Sequence, residues 1–391
     1  MKPYRSSGIL WITLSLFLAS FLTVLRWDLL DHNWSSFALI SEGNVSATFD
    51  NPEIRTYAHS GYDGQFYYAI ALSPLETVAK TIKNPLKLSK LESQSHQGVR
   101  IDNPVLRAKR IGYPLTAWAI SGLGKEGVLP FILVLLNILC IGLGTAACFL
   151  MAKSFNAPPV YCLGSLLFIG AWMCLYRDLA DQMAMVLALF ALFFLFREHL
   201  WSFSAFGIAA MLTKETVVFL LLGGVVSYGW AFFRQYRYGK SAILLAPFLV
   251  YFAWSFVLSW NDHSTGTLLK HFDWPFFGMG KGFLQSPDPI LWWVAIIPVL
   301  LIALESSWHL WKHPSKIGKP TSLIFLFNFG FAIIMSCAIY EDPFSFARNV
   351  LPLQYAGLLL LLDQKKRVSW LTLFASILGV AFYLRSNILY A

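Results

Sequence analysis

Apolar runs long enough to cross a bilayer recur from one end of this chain to the other. That pattern decides the fold class. About 20 predominantly apolar residues span the hydrocarbon core as a helix, and backbone groups in lipid must be satisfied within their own segment. The first run, 8–25, follows Lys2 and Arg5. A cleaved signal peptide has a similar outline, but no small-x-small site ends this run. It is therefore read as an uncleaved first span with a cytoplasmic N-terminus. Ten further candidate spans follow, at 128–151, 158–176, 179–196, 201–213, 216–233, 241–259, 289–306, 320–340, 347–363 and 368–385. Segment 201–213 is short and ends in charge, so it crosses only where protein or water covers its end. The expectation is an all-α polytopic membrane protein, one transmembrane domain over 1–391 with about 11 helices. Its one insertion is a long first extracytoplasmic loop, 26–127, between the first and second spans. Within that loop 65–72 and 111–123 are too short to cross and are expected as interfacial helices, the second anchored by Tyr113 and Trp118.

The formal charge is +9, on a chain that is 57% hydrophobic and only 13% charged. No soluble basic domain exists to carry a nucleic acid, and the cations sort by side instead. The expected inner loops hold Lys153, Arg197, Arg234, Arg237, Lys240, Lys312, Lys316, Lys319, Lys365, Lys366 and Arg367. The short outer loops hold scattered cations such as Arg177, Lys214 and Arg348. This is the positive-inside pattern, and it places the C-terminus outside. The 5 cysteines lie in apolar stretches without Cys-x-x-Cys spacing and read as small core residues. No internal repeat or linker divides the chain.

This topology brings the unusual polar groups to the outer face. Asp63 lies among aromatics in Gly61-Tyr62-Asp63-Gly64-Gln65-Phe66-Tyr67-Tyr68. Arg177, Asp178 and Asp181 lie between two spans, and Lys214 and Glu215 at the tip of a short hairpin. The loop 260–288 carries Asp262, His263, Lys270, His271, Asp273 and Lys281; Glu341, Asp342 and Arg348 lie further on. Ionisable groups at membrane depth are costly and usually face a functional cavity. Each also has a structural reading. Asp63 suits a helix N-cap as well as a base. Asp181 reads as part of a solvated turn, Lys214 with Glu215 as a paired helix end, and Arg348 as a snorkelling cation opening a span. His263 and His271 read as loop residues, not metal ligands. The glycine cluster 278–282 lacks the strand–helix setting of a phosphate loop, and no Gly-x-Ser-x-Gly elbow occurs. Asn33 and Asn44 open Asn-x-Ser sequons, which matter only in a host that glycosylates.

Taken in order, these motifs resemble the GT-C superfamily of integral membrane glycosyltransferases. The series is an N-terminal span, an outer loop with Tyr62-Asp63-Gly64-Gln65-Phe66-Tyr67, then Arg110-Ile111-Gly112-Tyr113-Pro114-Leu115, Leu212-Thr213-Lys214-Glu215-Thr216 and Phe346-Ala347-Arg348-Asn349. The likeness is nearer to bacterial mannosyltransferase-like proteins. It is looser to the GPI mannosyltransferase II type, which has a Trp-Asp-x-x-His-Phe element at the corresponding place; this chain lacks its His-Phe and has Gln65-Phe66 instead. The resemblance implies a bacterial inner-membrane enzyme that uses a polyprenyl-phosphate-linked sugar donor, inverts the anomeric centre and depends on an acid in the first outer loop. Asp63 is the residue that matches that acid.

The chemistry expected of such a site needs few groups. Asp63 as carboxylate takes the proton of an attacking acceptor hydroxyl. The leaving phosphate needs positive charge where negative charge develops, and Arg348, Lys214 and then Arg177 are the candidates. Tyr62, Gln65, Tyr67 and Glu215 are the candidate substrate contacts, with packing the alternative for the tyrosines. The acceptor is a glycan, a lipid or a protein. No cofactor is expected. Asp63 with Asp178 would suit a divalent ion, but nothing in the spacing sets their separation. Three rivals stay open on sequence grounds: a transporter or flippase of lipid-linked sugars, a non-enzymatic envelope scaffold, and a polymerase or ligase of surface polysaccharide.

Overall fold

A computed structural model describes residues 3–45, 53–58, 61–83, 99–260, 272–286 and 289–389, with no statement made of the side chains of 3–7, 344, 388 and 389. Asp262, His263, Lys270 and His271 lie outside the described residues. The molecule is an all-α membrane protein. Among the described residues five helices are long and apolar enough to cross a bilayer: Gly8–Leu29, Leu129–Ser154, Glu215–Arg234, Tyr238–Ser259 and Pro289–Lys312. A bent pair, Pro159–Leu167 with Ile169–Tyr176, makes a sixth if counted as one span. Four shorter apolar helices accompany them: Asp181–Phe196, Leu200–Thr213, Pro320–Ile334 and Leu351–Asp363.

Three of the expected spans differ in shape. Segment 158–176 is not straight. It is a 3-10 turn and an α-helix meeting at 55°, and Phe168 between them is extended. The helix expected at 320–340 stops at Ile334, where Met335 turns extended. The one expected at 347–363 begins at Leu351, with Pro352 in its first turn. Proline has no N–H to give an incoming helix but suits the first turn of a new one. Arg348 therefore opens no span; it closes a separate short helix, Pro343–Asn349.

The outer loop folds into a small layer of its own. Asp63–Leu72 is a helix, but every residue from Gly64 to Leu72 is buried, so protein wraps it and it does not lie open on the membrane surface. It packs on the Gly112–Ile120 helix, with the Tyr67 and Tyr113 rings edge to face at 5.6 Å. Tyr113 in turn donates to the Leu133 carbonyl at 2.9 Å and accepts from Asn137 at 2.8 Å. This pins the loop layer to the helix Leu129–Ser154. A two-residue parallel pairing, Ile40–Ser41 with Thr56–Tyr57, closes the layer's edge.

Residues in the expected inner loops and at the inner ends of the expected spans meet one another. Tyr161 donates to the Lys366 carbonyl at 3.2 Å, Lys240 pairs with Glu198 at 3.5 Å, and Thr321 donates to Asp363 at 2.7 Å. Of the expected outer residues, Asp63, Asp342 and Arg348 meet in the cleft described next. All cysteines are free; four are buried and Cys337 is half-buried. His309 and His313 have the one-turn His-x-x-x-His spacing of metal ligands, a spacing the sequence reading wrongly took to be absent. Their rings lie 4.8 Å apart, but no group of three His, Cys, Asp or Glu that could hold a metal ion occurs among the described residues.

Candidate active site

Asp63 is the first residue of its helix, and a carboxylate there suits the positive end of the helix dipole. Its two oxygens do not cap backbone N–H groups. One lies 3.0 Å from Arg107 Nη2 and the other 2.5 Å from Arg348 Nη1. The neighbouring glycine makes this possible. A Cβ on Gly64 would collide with the Arg177 carbonyl and stand 3.0 Å from that of Ala38, so only glycine lets the helix start so close to the 177–178 turn. Gly170 does the same for Arg348: a Cβ there would stand 2.6 Å from the Ala347 carbonyl. Two close backbone approaches thus carry Asp63 and Arg348 to one point.

The pairing continues on both sides. Arg107 is held behind by Asp102, through Nε to Oδ1 and Nη2 to Oδ2, both at 2.9 Å. Arg348 has Asp181 at 4.0 Å, and Asp181 faces Lys214 at 3.0 Å. Asp102, Arg107, Asp63, Arg348, Asp181 and Lys214 therefore form one line of alternating charge, drawn from five separate segments. Beside it, Arg110 makes a two-pronged pair with Glu215.

A cleft of about 380 Å³ opens over the middle of this line, at the small end of the range for small-molecule sites. Of the candidate catalytic and binding residues, Tyr62, Asp63, Gln65 and Arg348 line it, together with Asn44, Gly61, Phe66, Asp102, Arg107, Asp342 and Ser345. Gln65 Oε1 accepts from the Ser41 amide and from Asn44, both at 3.1 Å, which fixes the amide at the cleft wall. The Tyr62 hydroxyl donates to Asp342 at 3.4 Å, and its ring carries the Arg177 guanidinium at 4.5 Å and that of Arg348 at 5.1 Å. Lys214, Arg177, Tyr67 and Glu215 do not line the cleft. Lys214 is only 2% exposed and stands behind Arg348, across Asp181.

Burial alone would raise the Asp63 carboxyl, but Arg348, then Arg107, Lys214 and Arg110, hold it well below the ordinary carboxylate range. It is an ionised group with a strong grip on its neighbours and a weak grip on protons. Asp178 is the opposite case. It is fully buried, with a left-handed φ of 47° and no hydrogen-bond partner for either oxygen among the described residues. Burial pushes its carboxyl well above the ordinary range, so it is a neutral acid. Asp181, read from sequence as part of a solvated turn, is buried and ion-paired. The turn it belongs to is enclosed by the outer layer, which the local sequence does not reveal.

Sequence reasoning missed Arg107 and Asp102. The signal was present: Asn103 followed by Pro104 is a helix-start pair. Asn103 does cap the Pro104–Lys109 helix, accepting from the Leu106 amide, and that helix aims Arg107 back at Asp102. No known protein family, no curated protein and no solved structure matches the chain.

Proposed function

We propose that this protein is a membrane glycosyltransferase that moves a sugar from a polyprenyl-phosphate donor to an acceptor at the extracytoplasmic face, inverting the anomeric carbon. The reading assigns the chain about eleven crossings in a bacterial inner membrane, with the N-terminus inside and the cleft outside. The observation that carries it is the position of Asp63: one ionised carboxylate in a cleft, between two arginines that arrive from far along the chain. A transferase of this kind requires a base and a phosphate-binding charge within reach of one sugar ring.

The acceptor oxygen attacks the anomeric carbon as its proton passes to Asp63. The bond from that carbon to the phosphate oxygen breaks, its electron pair stays on the phosphate, and a polyprenyl phosphate leaves. Arg348 meets the developing negative charge directly. Lys214 and Arg177 add positive potential from one layer back, through Asp181 and across the Tyr62 ring. Tyr62 and Gln65 bound the sugar, while Tyr67 and Glu215 support the wall through Tyr113 and Arg110. Trp274, Phe276, Phe277 and Leu284 are exposed, on the Phe277–Gln285 helix or just before it. The Phe277–Gln285 helix packs against Cys337–Glu341, immediately before Asp342. Aromatic side chains of this kind seat a structure at the headgroup level, where a lipid-borne phosphate lies.

The test is turnover by the purified protein in nanodiscs, with radiolabelled polyprenyl-phosphate sugars and a panel of glycan and lipid acceptors. Release of polyprenyl phosphate coupled to a new glycosidic product is expected, and Asp63→Asn is expected to remove it. Vesicle counterflow of the lipid-linked sugar without any product would replace this reading with transport.

A further inference from the structure

Arg107 and Arg348 are each anchored without Asp63. Arg107 keeps a two-pronged pair with Asp102, and Arg348 has Asp181 behind it at 4.0 Å. The two guanidinium groups are thus jaws whose mounts lie outside the gap between them. In the structure the gap holds the Asp63 carboxylate, one oxygen to each jaw. A carboxylate held by one charge-assisted hydrogen bond and one close ion pair is a poor acceptor for a further proton donor. The same two arginines are the groups in the cleft best suited to a phosphate, which presents oxygens to planar N–H forks as a carboxylate does.

We propose that the Asp63 carboxylate occupies the phosphate's place, and that a phosphate ester entering between Arg107 and Arg348 displaces it and so converts it into a base. The inference rests on the transferase reading for what the phosphate carries, a polyprenyl chain and a sugar. Arg107 becomes the second phosphate-binding residue of the site. The displaced carboxylate loses two cationic partners and gains an anionic neighbour, and both changes raise its affinity for protons. Base strength then appears only when donor is bound.

The consequence is a sign that a purely supporting role for Asp63 would not give. If Asp63 merely oriented the arginines, neutralising it would weaken phosphate binding. If it competes for them, neutralising it strengthens binding. The experiment measures affinity of the full-length protein in detergent micelles for a short-chain polyprenyl monophosphate, by intrinsic tryptophan fluorescence. Asp63→Asn is expected to bind roughly tenfold tighter than the parent, and Arg107→Gln at least roughly tenfold weaker, a factor of ten being about 1.4 kcal/mol. Equal or weaker binding by a folded Asp63→Asn protein overturns the proposal, and leaves the transferase reading standing wherever the parent still turns over lipid donor. Should Asp63→Asn fail to give a cooperative melt, the parent decides the matter. Its aspartate carboxyl band, labelled with ¹³C and followed by infrared titration, is expected to shift to higher pH when polyprenyl phosphate is added, and an unmoved band overturns the proposal. Inorganic phosphate and a nucleoside diphosphate are run in parallel. Tighter binding of these by Asp63→Asn, with none of the lipid, keeps the exchange and removes the lipid donor.

Discussion

Lys214 Nζ stands 3.0 Å from Asp181 Oδ1, and the two side chains are 2% and 4% exposed. A pair so deeply enclosed is held by geometry, and the loss of Lys214 leaves the buried Asp181 carboxylate with only the more distant Arg348, at 4.0 Å, as a partner. Breaking a buried pair of this kind costs about 3–5 kcal/mol, whereas replacing both members with apolar residues of similar size is often neutral or stabilising. Lys214→Gln is accordingly expected to lower the thermal midpoint in detergent markedly, and the double change Lys214→Met with Asp181→Leu to recover most of the loss. An undiminished midpoint in the single variant would mean that Lys214 is not enclosed as described.

The ion pairs of Asp63 set a pH dependence of known direction. Its carboxyl titrates lower in the folded protein than the ordinary value of 3.8. The unfolded chain therefore binds its proton first as pH falls, and the stabilisation is present above about pH 4 and lost below it. The difference in melting midpoint between the parent and Asp63→Asn is expected to stay constant from pH 8 to pH 5 and to narrow only under about pH 4. A difference that changes between pH 5 and pH 8 would instead place a raised carboxyl at position 63.

Much of the architecture was readable because hydrophobic length is a local property. The long helices Leu129–Ser154, Tyr238–Ser259 and Pro289–Lys312 lie where the apolar runs put them. What the sequence hid was set by distant neighbours. The bend at Phe168 and the enclosure of Asp181 both depend on what packs against those segments. Asp63 and Arg348 stood out as charges at membrane depth, and Arg107 did not, because its loop already held several cations. Only the fold separates the one that turns inward.

Sidedness can be checked at two exposed lysines, Lys125 in the outer layer and Lys366 beside the expected inner loops. Four native cysteines are buried and the fifth is half-buried, so background labelling is expected to be low. In intact cells or right-side-out vesicles, Lys125→Cys is expected to react with a membrane-impermeant maleimide, and Lys366→Cys only after permeabilisation. The reverse pattern would place the cleft in the cytoplasm and exclude an extracytoplasmic donor site.

Gly64 offers the sharpest test of how the site is held. A Cβ at this position meets the Arg177 carbonyl and the Ala38 carbonyl, both backbone atoms that cannot swing aside. Gly64→Ala must therefore lift the start of the Asp63 helix away from the 177–178 turn, at a cost of about 1–3 kcal/mol for an overpacked contact. The larger effect is on geometry. Asp63 is the next residue, and a displacement of about 1 Å at a reacting group can cost roughly a hundredfold in rate. Gly64→Ala is expected to keep a cooperative melt a few degrees lower while losing sugar transfer by that order. Gly330→Ala, where an added methyl meets nothing within 4 Å, is expected to change neither. Full activity in a folded Gly64→Ala protein would mean that the position of Asp63 against Arg107 and Arg348 does not govern the chemistry.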